Sequence, residues 1–204
     1  MAWKQRRKML ENLSEGLVKA GALQFGPFTL PDGKESPYYL DLRTLASYPG
    51  TFRAVVEAMT TVARAKAPKV DAVCTAPLSG LIIATPIAMS LGKPLVWTKQ
   101  RPKSDERRIE GEVRPGWDFL LVDDLVTSGQ TMLAAAEAVR DEGAEVKHAV
   151  VLLDRLEGAR EKLKKQGISL HQVTDVLELA DTLLSMELIG KDDFRKIARA
   201  VGSR

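Results

Sequence analysis

Two adjacent carboxylates, Asp123 and Asp124, are followed by a turn of small and hydroxyl-bearing residues at 127–131. The apolar run 119–122 before the acids is typical of a buried parallel strand, and a helix is predicted from the turn to about Asp141. Small residues at a helix start let consecutive backbone N–H groups converge on one point, where the helix dipole also favours an anion. The turn is therefore predicted to bind a phosphate monoester.

The acid pair, Asp123 and Asp124, cannot face that phosphate without repulsion. Carboxylates suit the neighbouring groups of a sugar phosphate, either its hydroxyls directly or a Mg²⁺ ion between oxygens. A strand-end aspartate or a Thr-Ser-Gly turn alone is common in α/β domains that bind no ligand. The two together, on an apolar strand with a helix directly after, favour a ribose 5-phosphate site.

Composition places the chain among ordinary globular proteins, with 204 residues, 45% of them hydrophobic and 28% charged. This length fits one domain, residues 1–204. A net charge of +3, with basic residues dispersed except around 99–108, does not indicate nucleic acid binding. The single cysteine, Cys74, excludes an internal disulfide and is expected to be a buried structural thiol. Without a leader or a long apolar run, we expect a cytoplasmic protein with no membrane partner.

The order of the predicted elements indicates an α/β fold. A helix is predicted over residues 4–20, a small antiparallel element over 22–43 and a second helix over 49–65. Strands are then predicted at 70–75, 94–98, 119–122, 146–153 and 168–173, with helices between them and two more at the C-terminus. This alternation predicts a central parallel β-sheet flanked by helices, with ligands at the carboxyl ends of its strands. Residues 76–80, Lys99, 123–131 and Arg155 all follow such ends.

Three segments carry a resemblance to a known family. Residues 119–131 resemble the phosphoribosyl pyrophosphate (PRPP) motif of the type I phosphoribosyltransferases, and residues 25–43 and 150–158 resemble orotate phosphoribosyltransferases. The resemblance extends from about residue 8 to 185. It implies the type I phosphoribosyltransferase fold, with a small N-terminal hood at about 1–45 and a core at 46–204. It also implies Mg²⁺-dependent transfer of phosphoribose from PRPP to orotate in de novo UMP synthesis, with orotidine 5′-phosphate and pyrophosphate as products.

The resemblance also implies site residues. The residues matched to PRPP binding are Lys99, Arg101, Lys103, Asp123, Asp124, Leu125, Val126, Thr127, Ser128, Gly129, Gln130 and Thr131. Those matched to orotate are Tyr39, Leu40, Thr127 and Arg155. Lys103, Asp123 and Asp124 are the expected catalytic residues, and Mg²⁺ is expected to bind through PRPP, with the two aspartates as its candidate protein ligands. A guanidinium such as Arg155 can pair with a carboxylate in two parallel bonds, but a surface ion pair with Glu157 or Asp154 is the alternative.

The resemblance further implies that residues 99–111 form a flexible catalytic loop that closes over pyrophosphate, in the neighbouring subunit of a homodimer, and concentrated cations suit that leaving group. The alternative is a solvated charged loop. Family members usually carry Lys-x-His-Gly or Lys-x-Tyr-Gly here, whereas residues 103–107 contain no His, Tyr or Gly, and Asp105 stands near the histidine position. Bacterial relatives also carry lysines where this chain has Pro31 and Ser79. We therefore predict that the loop cations act without an imidazole.

Two other functions remain open at this point. The same fold could transfer phosphoribose to another nucleobase, or the chain could be a regulator that senses PRPP or a nucleotide with little turnover. Regulators of this fold usually need a nucleic-acid surface or an added helix-turn-helix, and the sequence has neither a dense basic face nor spare length. The small molecules PRPP and orotate are therefore the expected partners.

Overall fold

Strands and helices alternate through most of the computed structural model, which describes residues 3–29, 33, 35–100 and 106–202. The strands are β1 (Leu23–Thr29), β2 (Glu35–Leu40), β3 (Ala72–Thr75), β4 (Leu95–Thr98), β5 (Ile109–Glu110), β6 (Asp118–Val126), β7 (Glu145–Asp154) and β8 (Ser169–Asp175). The helices are α1 (Trp3–Lys19), α2 (Pro49–Lys66), α3 (Ser79–Leu91), α4 (Gln130–Asp141), α5 (Ala159–Lys165), α6 (Val176–Ser185) and α7 (Lys191–Gly202), with a 3₁₀ helix at Leu42–Ser47.

Contacts along the chain define two compact units. The first unit comprises residues 1–55, 155–157 and 174–204, and the second comprises 56–154 and 158–173. The expected hood, 1–45, falls in the first unit together with the C-terminal helices. The expected organisation as one domain stays a prediction.

The sheet of the second unit has the strand order β5-β4-β3-β6-β7-β8. β3 pairs in parallel with β4 and β6, and β6 pairs in parallel with β7, whereas β5 is antiparallel to β4. After β3, the chain adds β4 on one side of it. β6 then pairs with the other side of β3, and β7 is added beyond β6, so the order of strand addition reverses between β3 and β6. In such sheets the crevice outside the carboxyl ends of the two central strands is the preferred ligand site.

Strand β6 forms the centre of the core but is longer than predicted. Its apolar residues 119–122 are almost fully buried, as expected for a strand covered on both faces. Pairing with β3 ends at Cys74↔Leu121, but pairing with β7 continues to Val126↔Asp154. The acid pair therefore lies inside the strand rather than after it. Cys74 is fully buried, which confirms the expected buried thiol, and its burial raises the pKa of the thiol to about 12.

The first unit contains the small antiparallel element that the sequence predicts. β1 and β2 pair as a hairpin whose register shifts between Phe25 and Phe28. Helix α1 buries Leu10, Leu13 and Leu17 at helical spacing and packs on α6. Across the described ranges, no helix is both long and apolar enough to cross a membrane.

Candidate active site

Local donors hold both carboxylates of the acid pair. The backbone N–H of Asp124 donates to Asp123 Oδ1 at 2.9 Å, and that of Leu125 donates to Asp124 Oδ1 at 2.9 Å. The hydroxyl of Ser79, at the start of α3, also donates to Asp124 Oδ1 at 3.2 Å. Asp124 is buried, so these bonds fix the direction in which its second oxygen points.

Gly80 allows α3 to approach the acid pair closely. A Cβ atom at this position would lie 2.3 Å from Thr75 Oγ1 and 2.8 Å from Asp123 Oδ1, which is too short for real contacts. The sequence placed residues 76–80 at a strand end but assigned no role to Ser79 or Gly80. A glycine close after a buried strand was the available signal, because such glycines often mark a close backbone approach.

The electrostatics of the acid pair favour a ligand that brings positive charge or hydroxyl donors. The pKa of Asp123 is raised well above its usual range, first by burial and then by the charge of Asp124 and a hydrogen bond with it. Among the described residues, no group of three or more His, Cys, Asp or Glu side chains could hold a metal by itself. Two carboxylates nevertheless fit Mg²⁺, which usually takes one or two protein carboxylates and completes its shell with substrate oxygens and water.

We predict that Asp123→Asn raises the melting temperature at neutral pH, because the asparagine oxygen can still accept the Asp124 N–H bond without burying a second charge. The folded pKa of Asp123 lies above its unfolded value of about 3.9. Its ionisation therefore costs stability progressively as pH rises from that value through the folded pKa, and the cost persists above it. Thermal unfolding from pH 4 to 8 should show a gain for the variant at pH 8 that shrinks towards pH 4. A gain that does not change with pH, or the same gain in the exposed control Glu137→Gln, would contradict this explanation.

The phosphate loop, residues 127–131, leads directly from β6 into α4. Gly129 adopts a left-handed φ of 79°, and a Cβ there would lie 3.2 Å from the Cβ of Ala159. Glycine is therefore favoured by the left-handed conformation, and the close approach of Ala159 leaves little room for a side chain. The first N–H groups of α4 lack intrahelical acceptors, as in any α-helix, and Gly129 has no side chain to cap them, so they can receive an anion. Helix α6 differs, since the Asp175 side chain caps its first turn.

A cavity of about 340 Å³ in the second unit brings Lys99 and Thr131 together. Its other lining residues are Ala76, Pro77, Thr98, Gln100, Arg108, Ala134 and Ala138. The ammonium of Lys99 lies 3.6 Å from Glu106 Oε2 and 3.5 Å from Glu110 Oε1. A highly charged anion in this cavity would therefore compete with two carboxylates for Lys99.

The expectation of a flexible loop over residues 99–111 is wrong for its last part. The Lys99 N–H donates to the Arg108 carbonyl at 2.8 Å, and β5 follows, with Ile109 buried in the core. Arg107 donates to Glu142 at 2.8 Å, and Arg108 forms an ion pair with Asp141 at the end of α4. These two arginines anchor the loop rather than extend from it. Arg101 and Lys103 lie outside the described residues.

The arginine site, which we define as Tyr38, Arg155 and Glu157, belongs to the first unit. Arg155 is 9% exposed, and its guanidinium carbon lies 5.2 Å from the centroid of the Tyr38 ring. Its Nε lies 3.0 Å from Glu157 Oε1, an ion pair without hydrogen-bond geometry. Nε and Nη2 are buried without a hydrogen-bond partner in the described part of the chain, as is the Tyr38 hydroxyl. The pairing of Arg155 with Glu157 is thus present, but it joins a buried arginine to a partly exposed glutamate and leaves two guanidinium donors without a hydrogen bond.

The expected orotate residues Tyr39 and Leu40 lie on opposite faces of β2. Ser36, Tyr38 and Leu40 are buried, whereas the Tyr39 ring packs against Phe28 with centroids 5.6 Å apart. The sequence analysis missed Tyr38. The period-2 alternation of a strand could have revealed it, because Tyr38 shares a face with Leu40.

Comparison with known proteins decides the family. The model of the phosphoribosyl transferase domain family matches residues 44–179. The orotate phosphoribosyltransferase of Cenarchaeum symbiosum (strain A) is 36% identical over 192 residues, which cover 92% of this chain and 96% of the relative. This chain belongs to the orotate phosphoribosyltransferase family. Enzymes of this family are glycosyltransferases of pyrimidine biosynthesis, so the family predicted from three sequence segments is confirmed.

Solved structures of the family confirm the fold. The Leishmania donovani UMP synthase superposes with a TM-score of 0.85 at 33% identity, covering 95% of this chain and 42% of that longer chain. The Mycobacterium tuberculosis orotate phosphoribosyltransferase in complex with PRPP superposes with a TM-score of 0.67 at 28% identity, covering 84% of this chain and 98% of that chain. The expected type I phosphoribosyltransferase fold, with its mostly parallel sheet, is therefore confirmed.

Proposed function

We propose that this chain transfers the 5-phosphoribosyl group of PRPP to orotate, giving orotidine 5′-phosphate and pyrophosphate in de novo UMP synthesis. The bond from C1′ of PRPP to the pyrophosphate oxygen breaks with its electron pair leaving on pyrophosphate. The bond from C1′ to N1 of orotate forms, and the N1 proton is released. The observation that carries the choice of acceptor is the buried Arg155, whose Nε and Nη2 donors have no hydrogen-bond partner in the described part of the chain.

The phosphate loop is proposed to hold the 5-phosphate of PRPP. Its support is the uncapped N-terminus of α4, together with the tight turn that Gly129 makes against Ala159. The acid pair then faces the ribose rather than the phosphate. Asp124, fixed by Ser79 and by the Leu125 N–H, directs its remaining oxygen to a ribose hydroxyl or to a bound cation.

Mg²⁺ is the proposed cofactor, bound through PRPP with Asp123 and Asp124 as its protein ligands. When bound, it would neutralise charge on the diphosphate and on the acid pair. The raised pKa of Asp123 supports this assignment, because two adjacent carboxylates, Asp124 buried and Asp123 partly buried, gain from a nearby cation. The contribution of the chain is to hold the two carboxylates in place before substrate arrives.

Orotate is proposed to bind through its carboxylate to Arg155. A planar guanidinium offers two parallel donors, which match the two oxygens of a carboxylate. Desolvating Arg155 costs free energy that Glu157, 3.0 Å from Nε, offsets in part, and an anionic ligand that accepts two hydrogen bonds can offset more of it. An uncharged pyrimidine would leave those donors unsatisfied, so this site selects against it.

The catalytic contribution is proposed to come from positioning the two substrates and from cations that stabilise departing pyrophosphate. Lys99 lies at the cavity beside Thr131 and supports this role. Lys103, which retains the lysine position of the family, is proposed as the main catalytic cation. We further propose that the chain forms a homodimer in which this loop serves the partner subunit.

Lys103→Ala is expected to lower kcat by about tenfold or more while changing PRPP affinity less, because the charge on pyrophosphate grows as the bond breaks. If the loop acts in the partner subunit, mixed dimers of Lys103→Ala and Asp124→Asn chains contain one intact site. Steady-state rates of purified mixed dimers should then exceed those of both parent variants. No recovery in verified mixed dimers would argue for a loop that acts on its own subunit.

The proposed function is tested by incubating the purified chain with PRPP, orotate and Mg²⁺ and measuring pyrophosphate and orotidine 5′-phosphate. Both products should form in equal amounts, and removal of Mg²⁺ by a chelator should stop the reaction. Tight PRPP binding without turnover would instead support a sensing role. Turnover with another base, but not with orotate, would assign a different acceptor.

A further inference from the structure

We propose that Tyr38 is a positioning residue that sets the guanidinium of Arg155 for the acceptor carboxylate through a cation–π contact. This role rests on the proposed function, because it assigns Arg155 to the carboxylate of orotate. It goes beyond that function by giving acceptor selectivity to a second residue, one that does not itself touch the substrate.

The contact has the geometry and environment that make a cation–π interaction effective. The guanidinium carbon of Arg155 lies 5.2 Å from the ring centroid of Tyr38, within the range of about 6 Å at which such contacts act. Tyr38 is only 1% exposed and Arg155 only 9% exposed. A cation–π contact gains strength when water is excluded from both partners.

Tyr38 is itself held firmly by β2. It occupies the buried face of the strand beside Ser36, whose hydroxyl donates to the Tyr38 carbonyl at 2.6 Å. The backbone that carries the buried ring beside Arg155 is therefore held in place. Glu157 Oε1 also lies near the guanidinium, 3.0 Å from Nε, without hydrogen-bond geometry at that atom.

The unsatisfied donors of Arg155 show why the plane matters. Nε and Nη2 are both buried and have no hydrogen-bond partner among the described residues. Two parallel bonds to a carboxylate form only if the guanidinium plane is aligned with it. The face of an aromatic ring can hold the guanidinium plane without accepting a hydrogen bond from any of its N–H groups. A carboxylate or carbonyl partner would accept at least one of those bonds.

The Tyr38 hydroxyl does not provide the contact. It is buried and has no hydrogen-bond partner among the described residues, so the interaction with Arg155 comes from the face of the ring. The role of Tyr38 therefore depends on the electron density of its ring. That density can be altered with little change in size or shape.

A fluorination series tests this role. Position 38 is occupied in turn by phenylalanine, 4-fluorophenylalanine, 3,5-difluorophenylalanine and 3,4,5-trifluorophenylalanine, since each fluorine withdraws electrons from the ring face. The KM for orotate should rise stepwise by about fivefold to tenfold across the series, while the KM for PRPP stays within about twofold. The same residues at Tyr48, a 43% exposed tyrosine of the first unit, provide the matched control, and the orotate KM should not follow fluorination there.

A second measurement separates positioning from structural support. In the Arg155→Ala background the fluorination trend should vanish, because a residue that acts through Arg155 has no effect without it. An orotate KM that is flat across the series, or a trend that persists without Arg155, would overturn the role of Tyr38 while leaving the proposed function intact. If the unsubstituted chain neither turns over nor binds orotate, the proposed function fails, and the role of Tyr38 fails with it.

Discussion

Arg155→Ala is expected to lower kcat/KM for orotate by about 100-fold, or roughly 2.7 kcal/mol, while PRPP affinity stays nearly unchanged. The physical reason is that a buried, bidentate charged contact is lost and the acceptor carboxylate is left unpaired. Arg155→Lys should recover little of this loss, because an ammonium cannot offer two parallel donors. Steady-state kinetics with orotate varied at saturating PRPP measure the effect.

Arg195→Ala is the matched control for the arginine prediction. Arg195 lies on α7 of the first unit, donates to Asp192 at 3.1 Å, and its side chain is 66% exposed, so its loss should change orotate kinetics little. If PRPP binding collapses in Arg155→Ala while the dependence on orotate does not change, Arg155 has another role.

Asp124→Asn combined with Thr131→Ala is expected to weaken PRPP binding at least tenfold, about 1.4 kcal/mol. The double variant removes a charge from the acid pair and a hydroxyl from the phosphate loop. Titration calorimetry with PRPP and Mg²⁺ measures the change directly. The control pair Glu137→Gln and Thr61→Ala, both exposed on helices, should leave the affinity unchanged. An unchanged affinity in Asp124→Asn with Thr131→Ala would contradict the assignment of residues 123–131.

The elements of the fold could be predicted because their signals are local. Apolar runs marked the buried strands, and Gly92 ended α3 in a left-handed conformation, with φ 66°, as a C-terminal glycine should. β5 was missed because two residues carry no periodicity, and its strand character comes from pairing with β4. The end of β6 was placed too early for a similar reason, since the long β7, rather than the polarity of Asp123 and Asp124, determines where that strand stops.

Residues 123–131 could be predicted as part of the site because one continuous segment contains both the carboxylates and the turn before α4. Contacts between segments could not be read from the sequence. The hydrogen bond from Ser79 to Asp124 joins residues 45 positions apart, and the cation–π contact of Arg155 with Tyr38 joins β2 to the residue after β7. The anchoring of Arg107 by Glu142 and of Arg108 by Asp141, at the C-terminal end of α4, was equally hidden, because a run of basic residues does not reveal its partners.

Direct competition between orotate and uracil tests the central claim, that the carboxylate selects the acceptor. The two pyrimidines differ by that carboxylate, so their ratio of kcat/KM isolates its contribution. With both bases at equal concentration in one reaction with PRPP and Mg²⁺, orotidine 5′-phosphate should exceed UMP by about 100-fold or more, and Arg155→Ala should reduce that ratio strongly. Comparable amounts of the two nucleotides from the unsubstituted chain would contradict the account.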